Sequence, residues 1–178
     1  HFCRTAKLGF KRNLESGEIL DQFVMAQRWL RLYRPQSGEL TNIVFMGMGE
    51  PMMNLNEVEK AIHWLHHPAH YNISRRRITV STSGVVPGIE EFARRNIPAK
   101  LAISLDGSNQ ETRAASMPVA RRWPLDQLLK AVDNYIHATN EMVTFEYVLI
   151  KGSTCSEQAA LELGEIVRNR RCKINAIP

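Results

Sequence analysis

Segments with helix periodicity alternate with segments of strand character along the whole of this 178-residue chain. Apolar residues at helical spacing predict helices, and short runs rich in Val, Ile and Phe predict strands. Such alternation predicts parallel strands joined by crossover helices, which is an α/β fold. The predicted helices cover 18–33, 54–66, 88–95, 109–115, 125–138 and 157–168, and the predicted strands cover 41–48, 77–83, 99–106, 143–150 and 172–177.

The alternation leaves two architectures open, an open doubly wound sheet and part of a (β/α) barrel, because both have the same periodicity. A chain of this length makes one domain or most of one. Ser16 is the predicted N-cap of the first helix, and Asn54 that of the second. Glu57, three residues after Asn54, predicts a capping box there.

Composition narrows the class of protein. The net charge of +5 permits a polyanionic partner without requiring one. No apolar run approaches the roughly 18 residues of a membrane span, and no secretory signal is visible. The odd number of cysteines, 3, is no disulfide framework and indicates the reducing cytoplasm. Because no Met opens the chain, we expect it to be a fragment of a longer protein.

Three consecutive strands end in small or hydroxylated residues. They end in Gly-Met-Gly-Glu at 47–50, Ser-Thr-Ser-Gly at 81–84 and Ser-Leu-Asp-Gly at 104–107. In either architecture, ligands bind at the carboxyl ends of parallel strands. Although Ser and Gly are common turn residues, three such ends in succession favour a cradle for a polar small molecule.

These motifs, in this order, resemble those of radical S-adenosylmethionine (SAM) enzymes. The closest resemblance is to the adenine-C2 RNA methyltransferases of the RlmN type and their adenine-C8 relatives of the Cfr type. The resemblance covers nearly the whole chain and implies a (β/α) partial TIM barrel over residues 1–178, with about five of six strands present. The matching text includes Phe-Cys-x-Thr-Ala at 2–6, Gly-Phe-x-Arg-Asn-Leu at 9–14, Gly-Met-Gly-Glu-Pro at 47–51, Asn-Leu-Asn at 54–56, Ser-Thr-Ser-Gly-Val-Val-Pro at 81–87, Leu-Ala-Ile-Ser-Leu at 101–105, Met-Pro at 117–118 and Cys-Lys-Ile-Asn at 172–175.

The resemblance implies two cofactors, SAM and a [4Fe–4S] cluster held by three cysteines of a Cys-x3-Cys-x2-Cys loop. Cys3 matches the third cysteine, so it is the candidate metal ligand, and the other two are expected upstream of His1. By the same match, Gly49 and Glu50 would surround the methionyl amino group. The full set of candidate SAM-binding residues is Gly49, Glu50, Ser81, Ser104, Leu105 and Asp106.

The chain departs from the family pattern at two places. Asp106 stands where the family usually has His, which changes both charge and donor capacity. The loop after Ile150 reads Lys-Gly-Ser-Thr-Cys at 151–155, where the family typically has an Asn-Asp pair. The resemblance gives no role to Cys155 or Cys172, which we interpret as a loop thiol and a buried small apolar residue.

The resemblance also implies the reaction. The family methylates carbon 2 of an adenine in 23S ribosomal RNA, with transfer RNA as a further candidate substrate, through a 5′-deoxyadenosyl radical and a methyl-cysteine. The methyl-carrying and resolving cysteines are expected outside this chain, so we expect the isolated fragment to be inactive. The implied protein is a cytoplasmic monomer, not bound to membranes, that receives electrons from a flavodoxin or ferredoxin.

Topology sorts the basic residues into two groups. Residues that follow a strand lie at the candidate ligand-binding end, and those that precede a strand lie at the opposite end. Arg75–Arg77 and the basic residues at 168–173 precede strands, so we interpret them as structural or solvated. The candidates for RNA phosphate contact are Lys7, Lys11, Arg12, Arg121 and Arg122.

Three other functions stay open. Asp106 and the altered loop after Ile150 are also compatible with a Cfr-like or related radical SAM enzyme that has another substrate. His63 and His67, one helical turn apart, could belong to a non-catalytic metal-binding module, although Pro68 interrupts the helix between them and His70. A phosphate site at Gly47-Met48-Gly49 is weaker, because no Lys-Ser/Thr pair follows and no G-x-G-x-x-G is completed.

Overall fold

A computed structural model describes residues 9–46 and 48–178 of the chain. Cys3, Lys7 and Gly47, which were singled out from the sequence, lie outside the described residues. Among the described residues, no helix combines the length and apolar character that a membrane crossing requires.

The centre of the fold is a five-stranded sheet in which every pair of neighbours is parallel. Its strand order is β1-β2-β3-β4-β5, the order of the sequence. A doubly wound sheet reverses direction at a switch point, whereas a barrel adds each strand beside the previous one. The sequential strand order therefore indicates the partial barrel and excludes the doubly wound sheet. The strands are β1 Ile43–Phe45, β2 Ile78–Thr82, β3 Lys100–Ser104, β4 Val143–Val148 and β5 Cys172–Ile177.

Crossover helices follow the strands, and they cover one face of the sheet because successive crossovers of the same hand run in the same direction. The two longest of these helices, α2 and α6, bury apolar residues at matching intervals of three and four, which is the spacing of one helical face. The helices are α1 Ser16–Tyr33, α2 Leu55–His66, α3 Val86–Arg94, α4 Gln110–Ser116, α5 Val119–Arg122, α6 Leu125–Thr139 and α7 Glu157–Val167.

The two faces of the sheet differ in character. Outward-facing residues such as Ile78, Leu101 and Phe145 are 0% exposed beneath the helices. Successive strand residues point to opposite faces, and paired residues of parallel neighbours share a face. The inner face, which corresponds to the barrel interior, is therefore mostly polar. Its polar residues are Thr79, Ser81, Lys100, Ser104, Thr144, Glu146, Lys173 and Asn175.

Of the two predicted N-caps, Asn54 is the N-cap of α2, whereas Ser16 is the first residue of α1 and not its N-cap. α1 begins at Ser16, and its N-cap is Glu15, whose amide donates to Glu18 at 2.9 Å. The predicted capping box at Asn54 is wrong, because the Asn54 side chain makes no cap hydrogen bond. Glu57 accepts instead from the amide of Ser16 at 2.9 Å, which links the two helices.

Candidate ligand site at the carboxyl ends of the strands

A carboxylate after β1 joins the ends of the first two strands. Glu50 Oε2 accepts from the amide of Ser83 at 2.8 Å and from its hydroxyl at 2.6 Å. Glu50 Oε1 accepts from the amide of Met52 at 3.1 Å, which holds the 3₁₀ turn Pro51–Asn54 against the strand end. Hydrogen bonds to a carboxylate are charge-assisted and strong. The turn after β1 is therefore fixed to the end of β2.

A buried arginine joins the second and third strands. The side chain of Arg113, on α4, is 0% exposed. Its Nη2 donates to the carbonyl of Ser83 at 2.6 Å. Its Nη1 donates to the carbonyls of Ser104, at 2.8 Å, and Leu105. These acceptors lie where the two strands end, so the guanidinium binds backbone groups that the ladder no longer pairs.

Two glycines make room for Arg113, Gly84 for its guanidinium and Gly107 for its backbone. A Cβ at Gly84, where φ is +104°, would lie 2.6 Å from Arg113 Nη2. A Cβ at Gly107 would lie 2.5 Å from the amide nitrogen of Arg113. Real Cβ atoms essentially never approach so closely. The glycines that end 81–84 and 104–107 are thus explained by the arginine between them.

An acidic side chain on β4 extends the connection. Glu146 lies on the inner face beside Ser104, its partner in the β3–β4 register. Its Oε2 accepts from the hydroxyl of Ser81 at 3.3 Å, and its carbonyl accepts from the amide of Leu105 at 2.8 Å. These bonds complete what we call the strand-end network, which consists of Glu50, Ser83, Arg113, Ser104, Leu105 and Glu146. It joins the ends of four neighbouring strands.

Asp106 follows β3 in a left-handed conformation, with φ of +46°, that Asp tolerates better than most residues. It is 8% exposed. Burial raises the pKa of its carboxyl, while a hydrogen bond from the backbone of Val148 and the charge of Arg113 oppose the rise. Burial also lowers the pKa of Arg113 to about 10, so the guanidinium stays charged at neutral pH. The position where the family usually has His is therefore a buried carboxyl facing a buried cation.

The loop after β4 is held by its own side chains. Thr154 Oγ1 accepts from the amide of Ile150 at 2.8 Å and donates to the carbonyl of Val148. The hydroxyl of Tyr147 donates to the carbonyl of Thr154 at 3.1 Å. Cys155 is exposed in this loop, and Cys172 is only partly buried. Without the family's Asn-Asp pair, Thr154 shapes this part of the rim.

The predicted SAM-binding residues lie at one edge of the sheet, but they differ in what they offer. Within residues 9–46 and 48–178, a Cβ at Gly49 would meet nothing within 4 Å. Ser81 is 5% exposed and faces inward, whereas the Leu105 side chain is 0% exposed and leaves only its backbone for a ligand. Sequence reasoning did not name Ser83, Arg113 or Glu146 as site residues. Ser83 lay within the Ser-Thr-Ser-Gly motif, and Glu146 alternates with apolar residues of β4, whereas Arg113 carried no local signal.

The basic candidates at the ligand end lie in two places. Arg121 and Arg122 are exposed on α5, and the guanidinium carbon of Arg122 lies 4.7 Å from the centre of the Trp123 ring. Lys11 is exposed, and Arg12 pairs with Glu18 at 2.6 Å. Glu18 pairs with the guanidinium of Arg12. The positive charges of Arg121 and Arg122 are therefore more available to a phosphate than that of Arg12.

The basic residues before the strands have partners at the opposite end. Arg75 lies 3.4 Å from Glu141, and Arg170 lies 2.7 Å from Asp133. Arg171 donates to the carbonyl of Asn140 at 2.7 Å. These contacts fasten the segments that lead into β2 and β5, as expected for structural residues.

The histidines near the end of α2 make separate contacts. His63 Nε2 lies 3.7 Å from Glu59, while the ring of His70 stacks on Trp64 with centroids 3.8 Å apart. His66 Nδ1 lies 2.9 Å from the carbonyl of Ile73. Within residues 9–46 and 48–178, no three His, Cys, Asp or Glu residues are grouped so that they could hold a metal ion. The metal-module hypothesis therefore receives no support from the described part of the chain.

Comparison with known proteins agrees with this fold. The Radical SAM superfamily matches residues 1–163, and the chain belongs to this superfamily. The chain is 44% identical over 99% of its length to the dual-specificity RNA methyltransferase RlmN of Lawsonia intracellularis, of which it covers 49%. It is 43% identical, with the same coverage, to the probable RlmN of Treponema denticola.

A solved structure shows the same fold. The crystal structure of a radical SAM methyltransferase from Sphaerobacter thermophilus superposes with a TM-score of 0.92 at 43% identity. The alignment covers 99% of this chain and 51% of that one. The chain thus spans about half the length of the relatives it matches. The predicted resemblance and the partial barrel are confirmed.

Membership of the superfamily implies SAM and a [4Fe–4S] cluster as cofactors. The strand-end site is compatible with SAM in charge. SAM carries a sulfonium and an ammonium group, and the carboxylates of Glu50, Asp106 and Glu146 lie near the carboxyl ends of β1, β3 and β4. No described residue fills the space next to the turn at Gly49, beside Glu50. Cys3, the candidate cluster ligand, lies outside the described residues.

Proposed function

We propose that this chain is the SAM-binding core of an RNA methyltransferase that methylates carbon 2 of an adenine in 23S ribosomal RNA, with transfer RNA as a second substrate. The observation that carries the proposal is the 44% identity over 99% of the chain to a dual-specificity RNA methyltransferase. The predicted SAM-binding residues of this chain also gather at one edge of its sheet. Because the chain covers half of its relatives, the remaining machinery belongs to segments outside it.

When bound, SAM and the cluster would supply the methyl group and the radical chemistry. The chain's own residues bind and orient SAM. Glu50 Oε1 accepts from the amide of Met52, and a carboxylate oxygen can accept a second donor such as an ammonium group. Ser81 and Glu146 offer a hydroxyl and a carboxylate on the inner wall for the ribose hydroxyls. Cys3 would contribute one thiolate to the cluster.

A second candidate is a related radical SAM enzyme with another product, such as adenine methylated at carbon 8. Asp106 favours it, because a buried carboxyl replaces the imidazole that relatives usually carry. The self-bonded loop at 149–155 favours it too, since it lines the same rim. The class of cofactor is the same in both candidates, so the product distinguishes them.

The test uses the full-length protein, purified and reconstituted without oxygen. It is incubated with SAM, reduced flavodoxin and transcripts of 23S ribosomal RNA or transfer RNA, and the nucleosides are separated by mass spectrometry. We expect 2-methyladenosine; 8-methyladenosine would establish the second candidate, and no methylated adenosine would refute both. Glu50→Ala should weaken SAM cleavage, and unchanged cleavage would contradict the assignment of Glu50.

Metal content tests the non-catalytic alternative. Iron with inorganic sulfide in the anaerobically purified protein supports the cluster, whereas stoichiometric zinc would support the histidines near the end of α2. We further propose that the protein is a cytoplasmic monomer reduced by a flavodoxin or ferredoxin. Sedimentation at several protein concentrations and electron transfer from each donor test these two points.

A further inference from the structure

We propose that Arg113 is a positioning residue that sets the shape of the SAM-binding edge by holding the backbone ends of β2 and β3. The inference rests on the proposed function, because it concerns the same site. Arg113 lies behind the residues expected to touch SAM and reaches them only through the main chain. Nothing in its local sequence, Glu-Thr-Arg-Ala at 111–114, marks it as part of the site.

The geometry shows what the guanidinium does. It donates to three carbonyls on two strands, those of Ser83, Ser104 and Leu105, and Nη1 also lies 3.2 Å from Met117 Sδ. A planar guanidinium offers several donors at fixed angles, which no other side chain does. These hydrogen bonds fix the main-chain positions of Ser104 and Leu105, which are two of the predicted SAM-binding residues.

Ser83 is held from two directions. Its carbonyl accepts from Arg113, while its amide and hydroxyl donate to Glu50. A shift of the guanidinium would therefore move Ser83 and, through it, the carboxylate beside the turn at Gly49. The arginine on α4 is in this way connected to the turn after β1, although no residue of α4 is itself predicted to bind SAM.

The chemistry argues against a purely packing role. Burying a guanidinium is costly, and buried charges can often be replaced by apolar side chains without loss of stability. Here the cost includes a buried Nε that has no partner among the described residues. Gly84 lacks the Cβ that would displace the guanidinium. The site therefore gives up apolar packing at Arg113 and a side chain at Gly84 in order to hold one charge.

The test compares Arg113→Lys and Arg113→Met in the full-length protein with Val132→Ala as a control. Val132 is 0% exposed on α6 and lies outside the strand-end network, so its truncation destabilises the core without touching the site. Binding of SAM and of S-adenosylhomocysteine is measured by calorimetry, and thermal unfolding is measured without ligand. Lysine keeps the charge but presents its donors from one point.

We expect Arg113→Lys to lower SAM affinity by about tenfold and Arg113→Met by more, while Val132→Ala lowers the melting temperature and leaves affinity within about twofold. If wild-type protein binds SAM and Arg113→Lys binds it equally well, the inference is wrong and the proposed function stands. If the wild-type protein does not bind SAM, both the inference about Arg113 and the proposed function are wrong. Should Arg113→Met not fold, Arg113→Lys decides the question alone.

Discussion

The guanidinium of Arg113 occupies the space that a side chain on Gly84 would need. A Cβ there would lie 2.6 Å from Nη2 and 3.2 Å from the nearest methyl carbon of Leu128. The two residues are 29 positions apart, since Gly84 ends the turn after β2 and Arg113 lies on α4. One residue has no side chain where the other places its charge.

Gly84→Ala should therefore destabilise the protein by about 2 kcal/mol or more, because it adds both a clash and a strained positive φ. Urea unfolding measures the change in free energy. Gly164→Ala is the matched control, because Gly164 lies inside α7 and a Cβ there would meet no described residue within 4 Å. That exchange should stabilise by about 0.5–1 kcal/mol. Equal effects of the two substitutions would contradict the close approach at Gly84.

The Glu50–Ser83 contact should be cooperative. Glu50→Gln and Ser83→Ala each remove part of a pair that is joined at 2.6 Å and 2.8 Å. In a double-mutant cycle we expect a coupling free energy of about 1–2 kcal/mol for unfolding. Replacing Glu90 and Glu111, exposed acids on other helices, by Gln should give additive changes. Additivity between Glu50→Gln and Ser83→Ala would show that the bond from the Ser83 hydroxyl contributes nothing, since alanine keeps the amide bond.

The buried Asp106 should make stability depend on pH in an unusual direction. Burial raises its pKa above the ordinary value of 3.8. A carboxyl with a raised pKa in the folded state stabilises the protein below its unfolded pKa, and this contribution is lost as pH rises through the folded pKa. Asp106→Asn should therefore gain stability relative to wild type between about pH 4 and about pH 7. Urea unfolding midpoints at the two pH values test the sign.

Glu91 is a carboxyl whose pKa is lowered in the folded state, unlike that of Asp106. Hydrogen bonds from Arg94 and then Arg95 lower its pKa to about 2. The stability that Glu91 contributes to the folded state is therefore present above the unfolded pKa of 4.5 and is lost as pH falls through about 2. Glu91→Gln should lower stability near neutral pH and lose that effect in acid. If the stabilities of Glu91→Gln and Asp106→Asn, relative to wild type, changed with pH in the same direction, one of the two assigned pKa shifts would be wrong.

RNA binding should depend on which end of the sheet carries the charge. In the full-length protein, Arg121→Glu with Arg122→Glu should weaken RNA binding and reduce the slope of log affinity against log salt concentration by about 1 for each phosphate that the protein no longer neutralises. Arg75→Glu with Arg76→Glu makes the same change in charge at the opposite end. Filter binding at several salt concentrations compares the two pairs. Loss of affinity from the second pair but not the first would overturn the sorting.

The sequence predicts the parts of this fold that depend on short-range patterns. Alternation of helix and strand segments predicted five parallel strands, and all five are present. The predicted strands extend past the observed ends, as at 99–106 against Lys100–Ser104, because residues just beyond a strand, such as Leu105, remain buried. The capping box at Asn54 failed because a distant partner, the Ser16 amide, takes Glu57.

The candidate site was predicted in position but not in its connections. Parallel topology alone brings Glu50, Ser81 and Ser104 to one edge. The bond between Ser81 and Glu146 spans 65 residues, and that between Arg113 and Ser83 spans 30. No local pattern reveals such partners. A buried arginine in a short polar helix is indistinguishable in sequence from a solvated one.

The contrast between the two faces of the sheet has an evolutionary consequence. The apolar outer face makes the core with the helices, so substitutions there are limited by folding. The inner face holds Thr144, Lys173 and Asn175 at positions that the core does not use. Selection can therefore change the wall around the ligand with little penalty in folding. One scaffold of this kind can diverge towards new substrates while its architecture is inherited unchanged.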